Sequence, residues 1–257
     1  MTPSRRSAAI VLAGAVVLAV AWPYDPVADV QPALRDAWPS ASAWLGKDPS
    51  GRDVLARCVA GTRAWALPGA IASVTSVAAG LALGVGAGWT DGPLSILARA
   101  TVSTVSAIPP FILVLLAVVA LGGAPWALGL ACGLACAPGA ASAVEARILE
   151  LRRSEFVLAA RARGHGELDI LVRQVILANT LGALARAAIE ALAFALVAEA
   201  TLSWFGSFGV QEPAPSWGNM IRYSLASANP LAWLAPAACV WGAAIACAGL
   251  GRGAARD

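Results

Sequence analysis

The sequence predicts an all-α integral membrane protein with six transmembrane helices, and three observations carry that prediction. First, hydrophobic residues make up 59% of the 257-residue chain and charged residues only 13%, with a mean hydropathy of +0.72. Soluble domains carry about 25% charged residues, and a soluble fold of this length needs far more polar surface. Second, the apolar residues form long, unalternating runs, the pattern of spanning helices and not of barrel strands. Third, a charged island covers residues 145–180 between two such runs. Unpaired charges and backbone groups cost several kcal/mol each in hydrocarbon, so this island belongs on one side of the membrane.

The elements follow in order. Residues 8–22, just after Arg5 and Arg6, read as a first transmembrane helix, somewhat short against the usual ~20 residues. Their charge pattern resembles a signal peptide, but no clear small-x-small cleavage site precedes a soluble domain. Residues 23–63 are polar, with Asp25, Asp29, Asp36, Asp48 and Asp53 among the basic residues, and read as an external loop. Residues 64–89 are the second span, closed by the turn signal Thr90-Asp91-Gly92-Pro93. The third span covers 98–121, with Pro109-Pro110 either kinking it or marking where its regular helix begins. Gly122-Gly123-Ala124-Pro125 turns into the fourth span, 126–144. After the charged island come a fifth span at 181–204, a Gly/Pro-rich loop at 205–229, a sixth span at 230–250 and a basic tail. The domain division is therefore 1–63, the first helix with its external loop, and 64–257, the core transmembrane domain.

Charge gives the orientation. Arg5, Arg6, Arg99, Arg147, Arg152, Arg153, Arg161, Arg163, Arg173, Arg252 and Arg256 fall on one side of this layout, against Arg35, Lys47, Arg52, Arg57, Arg63 and Arg222 on the other. The positive-inside rule then places both termini and residues 145–180 in the cytoplasm. Residues 23–63 run against the rule with five basic residues, and every other loop agrees with it. A net charge of +3 is too small to argue for nucleic acid.

Catalysis and metal binding find little support. Cys58, Cys132, Cys136, Cys239 and Cys247 form no CxxC pair and no zinc spacing, and read as small thiols packed in helices. His165 is the only histidine, too little for a metal site. Ser203 has no histidine partner nearby and is no nucleophile. Gly84-Val-Gly86-Ala-Gly88 lies in a membrane run with no strand before it, so it reads as helix packing. No phosphate-binding loop of the Gly-x-x-x-x-Gly-Lys-Ser/Thr type occurs, and Lys47 is the only lysine, so the chain is not an ATPase.

Three segments carry a resemblance. Trp44-Leu-Gly-Lys-Asp-Pro-Ser-Gly-Arg-Asp-Val-Leu-Ala-Arg57 precedes the second span; Asp48 and Pro49 open a turn there, and Asp53 can cap a short interfacial helix. Phe156-Val-Leu-Ala-Ala-Arg-Ala-Arg-Gly-His-Gly through Asn179 fills the charged island, and Ala198-Glu-Ala-Thr-Leu-Ser-Trp-Phe-Gly-Ser-Phe-Gly-Val-Gln-Glu-Pro-Ala-Pro-Ser-Trp-Gly-Asn-Met220 fills the penultimate loop. Together they resemble the permeases of the dipeptide, oligopeptide and nickel ABC importer family, specifically the second of the two permeases in such systems.

The resemblance implies a type I ABC importer permease fold in a bacterial inner membrane. It implies four kinds of partner: a second, homologous permease, two ATPase subunits that bind ATP and Mg, an extracytoplasmic substrate-binding protein, and membrane lipid. Residues 145–180 would form a helix–turn–helix coupling loop that docks on an ATPase, with Ala159, Ala160, Arg161, Gly164, His165, Gly166 and Leu168 at the contact. Its two amphipathic stretches, one with Phe156, Val157 and Ala160 and one with Leu168, Ile170 and Leu171, would turn about Gly164 onto one partner surface. Gln211, Pro213, Pro215, Ser216, Trp217 and Asn219 would face the binding protein. Departures occur at Leu158, where the family usually has Glu, and at Ala178, where it usually has Pro; loss of the proline lets the second coupling helix run into the fifth span.

Two acids lie in the fifth span. Glu199 matches a family position near the outer end, within reach of water, whereas Glu190 either lines the pathway or pairs with Arg186 one turn earlier. Rival classes fare worse. A membrane enzyme needs an intramembrane polar cluster, a secondary transporter should show internal repeats, and a structural scaffold has no use for the coupling motif. Peptides are the expected substrate; nickel, metal chelates, haem and glutathione are alternatives within the same architecture.

Overall fold

The structure, a computed structural model, describes residues 30–206 and 208–254 together with Gly14, Val16, Pro23 and Asp25. The expected first span, apart from Gly14 and Val16, lies outside these residues.

The first long helix, α1 (Val54–Gly88), has 35 residues and starts ten residues before the expected span. Asp53 starts it by accepting the Ala56 amide at 2.8 Å, so this residue caps the span itself and not a separate interfacial helix. Arg57 and Arg63 mask this earlier start in the sequence, since charges normally end a span. Arg57 is instead neutralised in place and the helix continues through it.

The expected third span is broken. α2 (Pro93–Ser106) and α3 (Pro110–Leu121) meet at 85° across a three-residue gap. Pro109 is extended and Pro110 takes the first helical position, where its missing N–H costs nothing. At 1.5 Å per residue, the 12 residues of α3 reach only ~18 Å, short of a ~30 Å hydrocarbon core.

α4 (Pro125–Arg152) extends eight residues past the expected end of the fourth span, because Ile148 and Leu151 keep a buried face. Then come α5 (Glu155–Ala162), and α6, a helical turn at Glu167–Asp169 widening to π-helix over Ile170–Leu177. α7 (Leu181–Phe205), α8 (Trp217–Ser224) and α9 (Leu231–Ala254) complete the chain. Among the described residues, four helices, α1, α4, α7 and α9, are long and apolar enough to cross a membrane, and the α2–α3 pair makes up to five.

In lipid, helices associate by close packing and not by expulsion of water, which favours small residues. The α1–α4 pair is the most extensive in the bundle. A Cβ on Gly84 would stand 2.6 Å from that of Val144, one on Gly129 2.7 Å from that of Ile71, and one on Gly133 2.5 Å from that of Thr75. The closely spaced glycines of α1 are therefore packing residues. α7 lies against α1 and α4, burying Ala191, Ala195 and Leu202, and α9 packs on α7. At one end of the bundle, residues 30–53 fold onto the α8–α9 connection: the Asn229 amide donates to the Leu45 and Lys47 carbonyls at 2.9 and 3.2 Å, and Ser227 bonds Asp36. The charged 145–180 segment lies at the opposite end.

Candidate functional site

The 145–180 segment is built from one turn outward. α5 ends at Ala162, and the chain turns at Gly164, whose φ of +82° is in the left-handed region. The Gly164 amide donates to the Arg161 carbonyl at 2.9 Å and the His165 amide to the Ala160 carbonyl at 3.2 Å. This nested pair of bonds is a Schellman motif, satisfying carbonyls that the helix end leaves open. No atom lies within 4 Å of a Cβ placed on Gly164, so glycine is required here for its backbone and not for space. A side chain at this position would not wedge the two helices apart.

The turn folds α5 and α6 into a hairpin, but not with the faces expected. Val157, Ala160, Ile170, Leu171 and Val175 are buried against Val144, Ile148 and Leu151 of α4, with Val85 and Trp89 at the end of α1. Four of the residues assigned to a partner surface, Val157, Ala160, Ile170 and Leu171, thus anchor the hairpin to its own bundle. What points outward is Phe156, Leu158, Ala159 and Leu168, the last 77% exposed, with Gly164, His165 and Gly166 at the tip.

Ion pairs fix the hairpin. Arg161 forms a two-pronged pair with Glu167 across the turn, at 2.7 and 3.0 Å, and its guanidinium lies 5.5 Å over the Trp89 ring. The Arg161 hydrogen bond, then its charge, holds the Glu167 carboxyl below its ordinary value. Arg152 likewise donates two hydrogen bonds to Asp91, at 3.2 and 2.5 Å, and depresses that carboxyl. His165 Nδ1 stands 3.3 Å from Asp169, which also pairs with Arg173 at 3.1 Å. The sequence placed Asp91 in a turn and Arg152 among the cytoplasmic charges but joined neither, nor Trp89, to this site, because a residue at the end of one span gives no local sign of which distant turn it meets.

α6 and α7 form an almost continuous helical path. Ala178 and Asn179 stay helical and only Thr180 interrupts, its hydroxyl bonding the Val175 carbonyl at 2.8 Å. Ala178, the position where proline was expected, is helical, and the break before α7 falls at Thr180 instead.

At the opposite end, four charged groups are locked together. Arg52 Nε meets Asp48 Oδ2 at 2.8 Å and its Nη1 meets Glu212 Oε2 at 2.5 Å. Arg57, 1% exposed, donates to Glu212 Oε1 at 2.7 Å and to the Pro213 carbonyl at 3.3 Å. Burial pulls the Arg52 guanidinium down, but the charges and hydrogen bonds of Asp48 and Glu212 outweigh it and leave it raised. The four-residue spacing of Asp48 and Arg52 was visible in the sequence; their meeting with Glu212, some 160 positions on, was not.

This lock tethers residues 208–216, and the residues expected to face a binding protein divide accordingly. Gln211 and Pro213 are exposed and Pro215 is half-buried, but Ser216, Trp217 and Asn219 are buried. Ser216 and Asn219 cap α8 reciprocally. Trp217 donates to the Cys58 carbonyl at 2.8 Å and packs 5.7 Å from Trp65. These three hold the loop together and present no surface.

The two acids of α7 also part. Glu190 is exposed and pairs with Arg186 at 2.7 Å, on the wall of a recess of about 540 Å³ between α7 and α9. Glu199 is only 2% exposed and accepts the Ser203 hydroxyl at 2.6 Å, which in turn accepts the Val210 amide. It does not reach water as expected; it lies beneath the loop as part of the loop's foundation.

Comparison with known proteins agrees with this architecture. Residues 80–252 match the family model described as binding-protein-dependent transport system inner membrane component. A Brucella ovis protein named as a peptide permease is 34% identical over 222 residues, covering 83% of this chain and 71% of its own length. The Bacillus subtilis dipeptide transport system permease protein DppC is 30% identical, with 81% and 66% covered. The Haemophilus influenzae oligopeptide transport system permease protein OppC is 31% identical, with 74% and 61% covered. An all-α membrane bundle with a helical hairpin at one end and a tethered loop at the other, matched over most of its length, makes this chain a member of the binding-protein-dependent transport permeases, the membrane subunits of ABC importers.

Proposed function

We propose that this chain is one of two homologous permeases in a bacterial ABC importer for di- or oligopeptides. It sits in the inner membrane with both termini and the α5–α6 hairpin in the cytoplasm. Two ATPase subunits bind ATP and Mg, and an extracytoplasmic binding protein delivers the cargo to the 206–229 end. The observation that carries this reading is the hairpin. Its inner face is consumed by the bundle, yet Phe156, Leu158 and Leu168 stay exposed at the polar end of the molecule, where apolar surface marks a protein contact. Nucleotide-driven closure of the ATPases favours one arrangement of the hairpins, and the bundles follow by rocking between inward- and outward-open states.

Peptide cargo rests on the names of the relatives, among which a Pectobacterium atrosepticum glutathione transport permease, 27% identical, keeps a small peptide as the common chemistry. Nickel, chelates and haem are the remaining alternatives. The test is the assembled complex in proteoliposomes, assayed for uptake of labelled dipeptide and for ATP hydrolysis. Phe156→Asp with Leu168→Asp is expected to abolish ATPase retention while the membrane subunits still co-purify. Wild-type ATPase retention in that double variant would refute the assignment of the hairpin.

A further inference from the structure

We infer that the recess beside Arg222 is a receptor for an acidic side chain of the binding protein. The inference rests on the proposed function, since it takes the 206–229 end as external. The recess has a volume of about 380 Å³ and is lined by Ser203, Gly206, Gln211, Glu212, Asn219, Arg222 and Tyr223. That is room for one side chain and not for a peptide with its neighbours.

The hydrogen-bonding capacity of the walls is unevenly spent. Both Glu212 oxygens are taken by Arg52 and Arg57. The Asn219 amide donates to the Val210 and Ala214 carbonyls at 3.0 and 2.9 Å, and its oxygen accepts the Ser216 amide. The Tyr223 hydroxyl is 3.0 Å from that of Ser50, and its ring lies under Arg52. The Ser203 hydroxyl donates to the buried Glu199 carboxylate. Arg222 alone has no carboxylate or hydrogen-bond partner among the described residues, and its guanidinium lies so close over Gly206 that a Cβ there would land on it. Gly206 has a φ of +75°, so the same residue serves the helix end and the seat of the arginine.

Of the three guanidinium groups at this end, those of Arg52 and Arg57 are already paired with Asp48 and Glu212. Arg222 is left with free planar donors, the chemistry that recognises a carboxylate. Gln211, Tyr223 and Arg222 are exposed at the rim, so the group is reachable from the surface where a soluble partner docks. A rim charge of this kind sets association and its salt dependence more than it sets stability.

The experiment uses the full transporter in proteoliposomes, with two readouts. A cysteine is placed at Gln211 and labelled with an anionic sulfonatoethyl or a cationic trimethylammonium-ethyl thiosulfonate, with the parent lacking that cysteine as background. The anionic reagent is expected to be favoured, and Arg222→Gln to lower the anion-to-cation rate ratio about tenfold. In parallel, Arg222→Gln is expected to raise the half-saturating concentration of the system's own dipeptide-loaded binding protein about tenfold, with unchanged maximal ATPase rate and partial rescue by Arg222→Lys. An unchanged reagent ratio overturns the anion site. A lowered ratio with unchanged half-saturation, or a change that follows dipeptide and not binding protein, overturns the assigned occupant. Loss of the second permease from the Arg222→Gln complex would reassign the recess to the subunit interface. If no binding protein stimulates the wild type, the importer reading itself fails, and the docking assignment with it.

Discussion

Gly164 and Arg57 show how single residues set this molecule's two ends. At Gly164 the left-handed backbone is the whole requirement, since a side chain would meet open space. A β-branched residue in that conformation costs about 1–2 kcal/mol and weakens the turn without any clash. Gly164→Val is expected to lower binding-protein-stimulated ATP hydrolysis several-fold while assembly persists, and Gly164→Asn, which tolerates the left-handed region, to stay near wild type. Equal stimulation in the Val variant would mean that the turn carries no signal. Arg57 is the opposite case, a charge with no access to water. Replacing it by Met leaves Glu212 Oε1 without its donor and should cost about 3 kcal/mol, the low end for a broken buried pair, because Glu212 keeps Arg52 and some water contact. Thermal unfolding in detergent would register this as a clear drop in Tm, and an unchanged Tm would show that the pair contributes nothing. The glycine was legible in the sequence, because a turn between two amphipathic stretches asks for one. The role of Arg57 was not, since a lone arginine near an apolar run reads as the end of a span until its distant acids are known.

The helical hairpin is stabilised as a unit. Its apolar face is sealed into the bundle, the Arg161–Glu167 pair closes its turn, and the Arg152–Asp91 pair ties the end of α4, from which it springs, to the turn after α1. Both carboxyls titrate below their ordinary values of 4.5 and 3.8. A carboxyl depressed in the folded state contributes its stabilisation above its unfolded pKa and loses it as pH falls through the folded one. Hydrogen exchange across residues 155–169 is therefore expected to be constant from neutral pH down to about 5 and to quicken, after correction for intrinsic rates, below about 4. Arg161→Gln should remove the Glu167 share of that acid sensitivity, and a profile identical to wild type would show that the pair is idle. The helix–turn–helix form of this segment was readable from its alternation of apolar and charged residues. Its facing was not, because Val157 and Phe156 are equally apolar and only the position of α4 decides which one is buried. The same limit applies to α2 and α3: Pro109-Pro110 announced a break, while the 85° angle depends on what each half packs against.

For the whole molecule, the orientation can be checked with an impermeant thiol reagent. A cysteine at His165 is expected to remain unlabelled in intact cells and to react in inverted vesicles, and one at Gln211 to behave in the reverse manner. Labelling of residue 165 from outside would invert the arrangement proposed here. Composition and run length were sufficient for an all-α membrane bundle, while the packing order of the helices needed the structure.

The length of α1 has a mechanical consequence. At 1.5 Å per residue its 35 residues make a rod of about 52 Å, well over the ~30 Å of hydrocarbon it crosses. The rod is gripped near both tips, by the Arg57–Glu212 contact at one and by the Trp89–Arg161 contact at the other. Between the tips it is seated against α4 with too little clearance for a methyl group at Gly84. Pivoted about one tip, such a rod tilted by about 5° sweeps the other through roughly 4–5 Å, a displacement of one side chain's width. Any tilt of α1 about its hairpin tip would therefore be felt several ångströms away, at the end that the Arg57–Glu212 contact ties to the far loop.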